Sequence, residues 1–139
     1  MERGTGLIDT RAGGRDVPQV LIFADYPPLR RVLAAILRRA GCQVVLALSA
    51  HEALYALEQR GYDVLLLDMD ATPSESQRIL QGLLTVRAPV PIVVLQSPVS
   101  RQPQGIEHFE VDILLPKPVS REALLTGIEL ALHKAMRHV

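Results

Sequence analysis

Five short apolar runs, each too brief for a buried helix, constrain the fold of this chain more than any other feature. They read VLIFA over Val20–Ala24, QVVLAL over Gln43–Leu48, DVLLL over Asp63–Leu67, PIVVLQ over Pro91–Gln96 and VDILL over Val111–Leu115. Runs of this length, rich in branched aliphatics and without polar alternation, fit strands covered on both faces. Helical periodicity fills the gaps. Pro27 and Pro28 suit a helix start, Leu29, Val32, Leu33, Ile36 and Leu37 make one apolar stripe, and Gly41 closes the segment. Ser49 with Glu52 three residues on predicts a capping box for a second helix that stops at Gly61. A weaker helix is expected from about Glu75 to Val86, and a loop with a short helix within Ser97–His108. Ser120 caps a last helix running to about Arg137, with Leu124, Leu125, Ile128 and Leu132 buried. Strand and helix alternating in this way predict an α/β domain: parallel strands, right-handed crossovers and helices on both faces of the sheet.

Bulk properties narrow the function classes. A chain of 139 residues builds one core and not two. The expected division is a flexible tail over residues 1–17, which carries four glycines and no periodicity, and a single domain over 18–139. The formal net charge is zero and no basic stripe appears, which argues against direct nucleic-acid binding. The pairs Arg30/Arg31 and Arg38/Arg39 read as a solvated helix face. Cys42 is the single cysteine, so there is neither a disulfide framework nor a cysteine zinc site, and a small buried residue is the expectation. His51, His108, His133 and His138 are scattered and suggest helix surface, not a metal site. No apolar run reaches the ~20 residues of a membrane span, and the N-terminus lacks the apolar core of a signal peptide, so a cytoplasmic protein without membrane contact is expected.

In an open parallel sheet, ligands bind beyond the carboxyl ends of the strands, where strand order reverses. The residues that follow the strands are Asp25, Asp68, then Gln96 and Ser97, then Lys117. With a strand order of 2-1-3-4-5, Asp25 and Asp68 become neighbours. Two adjacent carboxylates share a proton or bind a cation, and oxygen donors of this kind favour Mg²⁺. Lys117 offers a point charge to a phosphoryl group, and Asp68 can act as the nucleophile that receives it. Tyr26 could shade this pocket, although ordinary loop packing is the expectation.

Four segments in this order, VLIFADYPPLRR, YDVLLLDMDATP, PIVVLQS and LLPKP, resemble the receiver domain of two-component response regulators over about Val20–Ala131. The resemblance implies a flavodoxin-like, doubly wound five-stranded sheet of order 2-1-3-4-5. It makes Asp68 the phosphoacceptor, Asp25 a Mg²⁺ ligand, the Asp70 carbonyl a further ligand, and Lys117 the partner of the phosphoryl group. A cis Lys117–Pro118 peptide is expected on the same ground. The implied partners are a histidine kinase or phosphotransfer protein docking near the first helix, and a second copy of the chain through the fourth helix, fifth strand and fifth helix. No enzymatic activity is expected beyond self-phosphorylation from small donors and autodephosphorylation.

Several positions depart from that family's pattern. Ala24 stands where the first of two adjacent acids is usual, Gln96 (with Ser97 next to it) where a hydroxyl ends strand four, and Leu114 at the aromatic switch position of strand five. Ala71-Thr72-Pro73 replaces the usual Met-Pro. These changes predict weakened Mg²⁺ binding and altered switching. Asp70 could supply the charge missing at Ala24, or activate water and shorten the phosphoryl lifetime. One alternative is a receiver-like interaction module that works without phosphate. Another is an aspartate-nucleophile phosphatase of the haloacid-dehalogenase type, because Asp68-Met-Asp70-Ala-Thr72 spells its D-x-D-x-T motif; the motif here lies on the third strand instead of the first.

Overall fold

The computed structural model describes residues 17–68, 73–83, 90–97 and 111–137. Five strands are present: β1 (Gln19–Phe23), β2 (Gln43–Ala47), β3 (Val64–Asp68), β4 (Ile92–Gln96) and β5 (Ile113–Pro116). They form one sheet in the order β2-β1-β3-β4-β5, with every neighbouring pair parallel. Four helices are described, α1 (Pro27–Arg39), α2 (Ala50–Gln59), α3 (Pro73–Leu83) and α4 (Arg121–Arg137). The α/β architecture and the predicted strand order are both observed. Residues 1–16 of the tail expected over 1–17, and 98–108 of the segment Ser97–His108 expected to hold a short helix, lie outside the described residues, so the helix counted fifth in the sequence is α4 here.

Alternation along the strands splits the core into two layers. Val20, Ile22, Val64, Leu66, Val93 and Leu95 point to the side covered by α1 and α4, where Leu33, Leu37, Leu124, Ile128 and Leu132 meet them. Leu21, Phe23, Leu65, Leu67, Ile92 and Val94 point the other way, toward Ala50, Ala53 and Leu57 of α2 and Ile79 and Leu80 of α3. Covering on both faces is why the central strands carry no polar alternation. One position of the predicted α1 stripe is wrong: Val32 is 54% exposed, and Ala34 takes the buried place. The buried arc is rotated from the apolar stripe, away from Val32 and toward Ala34.

The helix ends follow the predicted chemistry with one variation. Gly41 has φ +102°, and around it the Gly41 and Cys42 N–H groups donate to the Arg38 and Leu37 carbonyls, the double bond pattern of a Schellman ending. Ser49 Oγ accepts from the Glu52 N–H at 3.1 Å, but Glu52 Oε1 accepts from the Leu48 N–H, one residue earlier than a standard capping box. The Ala50 N–H, two residues on, donates to Glu75 Oε1 at 2.7 Å, so the first turn of α3 caps α2. Ser120 Oγ accepts from the Ala123 N–H as expected.

At the amino edge of the sheet two aspartates act alike. Asp63 donates its N–H to the Gln19 carbonyl and accepts the Gln19 N–H at Oδ2, 2.8 and 2.7 Å. Asp112 makes the same two-way contact with Ile92 at 2.9 and 2.8 Å. Each fastens the start of one strand to its neighbour.

Cys42 is buried in the α1/α4 layer, and burial, with Asp63 adding to it, pushes its thiol up to about 11. At pH 8 the native thiol should therefore stay unreacted toward an aromatic disulfide reagent under conditions that fully label the denatured chain. A pKa raised on folding favours the neutral form. Stability from this group is thus complete below about pH 9 and declines as pH rises from there to about 11.

Candidate functional site

Asp68 ends β3, the central strand, and at 2% exposure is the one buried charged side chain among the described residues. It follows Val64 and Leu66 on the α1/α4 side of the sheet. An ionised carboxylate in such a place needs a partner, since an unpaired buried charge costs several kcal/mol. Lys117 provides it: Nζ donates to Asp68 Oδ1 at 2.8 Å, with the lysine side chain 23% exposed. The two residues stand two strands apart, about 9–10 Å between backbones, so the lysine spans β4 to reach the aspartate. Its own position is fixed by the chain. Gln96 pairs with Pro116, the Lys117 N–H donates to the Gln96 carbonyl at 3.0 Å, and the following Lys117–Pro118 peptide is cis, as expected.

Asp25 lies just beyond β1, exposed, at the same carboxyl edge. β1 and β3 are neighbours whose last registered pair is Phe23 with Leu67. One step further places Ala24 across from Asp68, and Ala24 is 1% exposed and part of the α1/α4 layer. A methyl group thus stands beside the buried carboxylate where a second acid is usual. Asp70 and residues 71–72 lie outside the described residues. Gln96 and Ser97 are half-buried at the end of β4, whereas Leu114 is 54% exposed on β5. Tyr26 is 63% exposed, so the packing expected of it is not observed. Among the described residues no three His, Cys, Asp or Glu side chains gather as a ready-made metal site. No helix among them is long and apolar enough to cross a membrane.

One residue of the site was misread as solvated surface. Arg30 is half-buried, and its Nη1 donates to the Ala24 carbonyl at 2.9 Å and approaches the Asp25 carbonyl at 3.4 Å. A cation in the first turn of a helix opposes the macrodipole. That mismatch, visible as Arg four residues after the Asp25-Tyr26 turn begins its helix, was the available signal.

A buried Asp–Lys pair at the switch point of a 2-1-3-4-5 parallel sheet defines the class, and the comparisons agree. The family model for the response regulator receiver domain matches residues 20–129, and the chain belongs to that family, the receiver domains of two-component signalling. It is 28% identical over 117 residues to the sensor histidine kinase RcsC of Salmonella typhi, covering 84% of this chain and 12% of that protein. It is 27% identical over 115 residues to the transcriptional regulatory protein ZraR of Salmonella typhimurium, covering 81% of this chain and 26% of that one. The chain therefore corresponds to a minor part of each of these relatives. Among solved structures, a CheY-like receiver domain from Methanospirillum hungatei superposes with a TM-score of 0.77 at 21% identity, covering 89% of this chain and 100% of the other. The receiver domain of the Francisella response regulator 1452 gives 0.72 at 21% identity, with 85% and 98% covered. Receiver domains interact with histidine kinases or phosphotransfer proteins.

Proposed function

We propose that this domain takes a phosphoryl group on Asp68 and switches by a route different from its family's usual one. A single observation carries the reading: a buried carboxylate held by a lysine at the carboxyl end of the central strand. An Asp68 oxygen would attack the donor's phosphorus, forming a P–O bond as the bond from phosphorus to the donor's nitrogen or acyl oxygen breaks. Lys117 is then positioned to transfer its ion pair from the carboxylate to a phosphoryl oxygen, because the acyl phosphate carries the negative charge outward.

The donor set fits Mg²⁺, which commonly uses one or two carboxylates together with phosphate oxygens and water. Asp25 and Asp68 would hold it with the carbonyl of Asp70, and it would supply countercharge to the phosphoryl group. With Asp25 and Asp68 each −1 and Lys117 +1, the pocket is one charge less negative than it would be with an acid at position 24. Weak metal binding follows from this. A histidine kinase or phosphotransfer protein is the proposed phosphodonor, and Leu114 and the half-buried Gln96 set the altered switching. Asp70 is proposed to act on the phosphoryl group's lifetime, and a second copy of the chain to pair through β5 and α4.

The buried Ala24 favours a second reading, an interaction module that works without phosphate. Incubation with acetyl phosphate and Mg²⁺, followed by intact mass, separates the two. One added phosphoryl group, about 80 Da, on wild type and none on Asp68→Asn supports the first reading. Unmodified wild type, with no Mg²⁺-dependent response to beryllofluoride, supports the second.

A further inference from the structure

Arg30 lies in the first turn of α1, a turn that opens with Pro27 and Pro28 and holds no acidic residue. Its guanidinium and backbone both reach back to the preceding chain. Nη1 donates to the Ala24 carbonyl at 2.9 Å and approaches that of Asp25 at 3.4 Å, while the Arg30 N–H donates to the Tyr26 carbonyl at 3.0 Å. Three successive carbonyls, at residues 24, 25 and 26, thus turn toward one residue. Tyr26 is the N-cap but makes no side-chain cap bond, and two prolines fix φ while offering no N–H.

We propose that Arg30 is a positioning residue that fixes the peptide units on either side of Asp25, so that its carboxylate is presented to the cation shared with Asp68. This rests on the Mg²⁺ reading above. The role has weight in this chain because Ala24 leaves Asp25 as the sole carboxylate contributed by the end of β1. An outer residue that orients a ligand commonly controls metal affinity by tenfold or more. The guanidinium charge acts in the opposite sense, since a cation near the pocket repels Mg²⁺. The two effects differ in sign and can be separated by substitution.

The test uses ¹⁵N-labelled wild type, Arg30→Met and Arg30→Lys, each titrated with MgCl₂ while amide shifts at Asp25 and Leu67 are followed. The heteronuclear NOE at Asp25 and Tyr26 is recorded without metal. Arg30→Met should lower the NOE at these two residues and weaken Mg²⁺ binding about tenfold. Arg30→Lys keeps the charge but not the planar donor fork, so it loses positioning without relief of repulsion and should bind Mg²⁺ no more tightly than Arg30→Met; it also carries the comparison if the methionine variant fails to fold. Mg²⁺ binding by Arg30→Met as tight as wild type, or tighter, overturns the proposal, because charge repulsion then outweighs positioning. An unchanged NOE overturns it as well. A wild type that shows no Mg²⁺-dependent shifts sinks the metal reading itself and the positioning role with it, whereas a binding wild type with an equally binding variant sinks the positioning role alone.

Discussion

Lys117→Met is expected to destabilise the domain by about 2–4 kcal/mol and to abolish phosphoryl acceptance from small donors. Methionine preserves most of the stem's volume, so packing changes little and the loss isolates the ammonium. Asp68 is 2% exposed and its Lys117 contact is 2.8 Å. Without the lysine its carboxylate is left buried beside Ala24, with Asp25 at the same sheet edge adding like charge. A range below the full cost of breaking a buried pair is appropriate, because Lys117 is 23% exposed and the pair is partly hydrated. Asp68→Asn should restore much of the stability in the Lys117→Met background, since it removes the charge that needed a partner. Urea unfolding of the four proteins in the cycle measures this coupling directly. Additive effects would mean that the contact carries no stability.

Ala24→Asp should bring opposite changes in binding and stability. The position is 1% exposed, within the α1/α4 layer, and stands across from Asp68. An ionised side chain there, without metal, is expected to cost about 2–4 kcal/mol. Mg²⁺ should return a large part of that cost, because the third carboxylate both needs and attracts the cation. Thermal melts with and without millimolar MgCl₂ should therefore diverge far more for Ala24→Asp than for wild type. Equal Mg²⁺ responses in the two proteins would show that the pocket does not use this edge of the sheet for a cation.

The fold was legible in the sequence because the central strands are apolar on both faces, and only a doubly covered sheet explains that pattern. Gly41 and Ser120 were equally readable, since one supplies the positive φ and the other the accepting oxygen their positions require. Val32 misled because periodicity marks which residues are apolar, not how the helix is rolled on its sheet; the roll turns Ala34 inward and Val32 outward. Asp68 and Lys117 were found from their places at strand ends. Their direct contact was not, because it depends on a side chain spanning a whole strand. Arg30 passed as half of one of two surface arginine pairs, its reach toward Ala24 being invisible without the turn's geometry. Asp63 and Asp112 were counted within the strand runs DVLLL and VDILL, with no role of their own. Their two-way bonds appear only once the neighbouring strand is in register.

Those two aspartates have a mechanical consequence. They rivet β3 to β1 and β5 to β4 at the end of the sheet away from Asp25, Asp68 and Lys117. The strands are at most five residues long, and five residues extend about 17 Å. The two contacts reinforce pairing at the end of the sheet where the pocket is not, so the register of β3 on β1 and of β5 on β4 does not depend on the pocket residues.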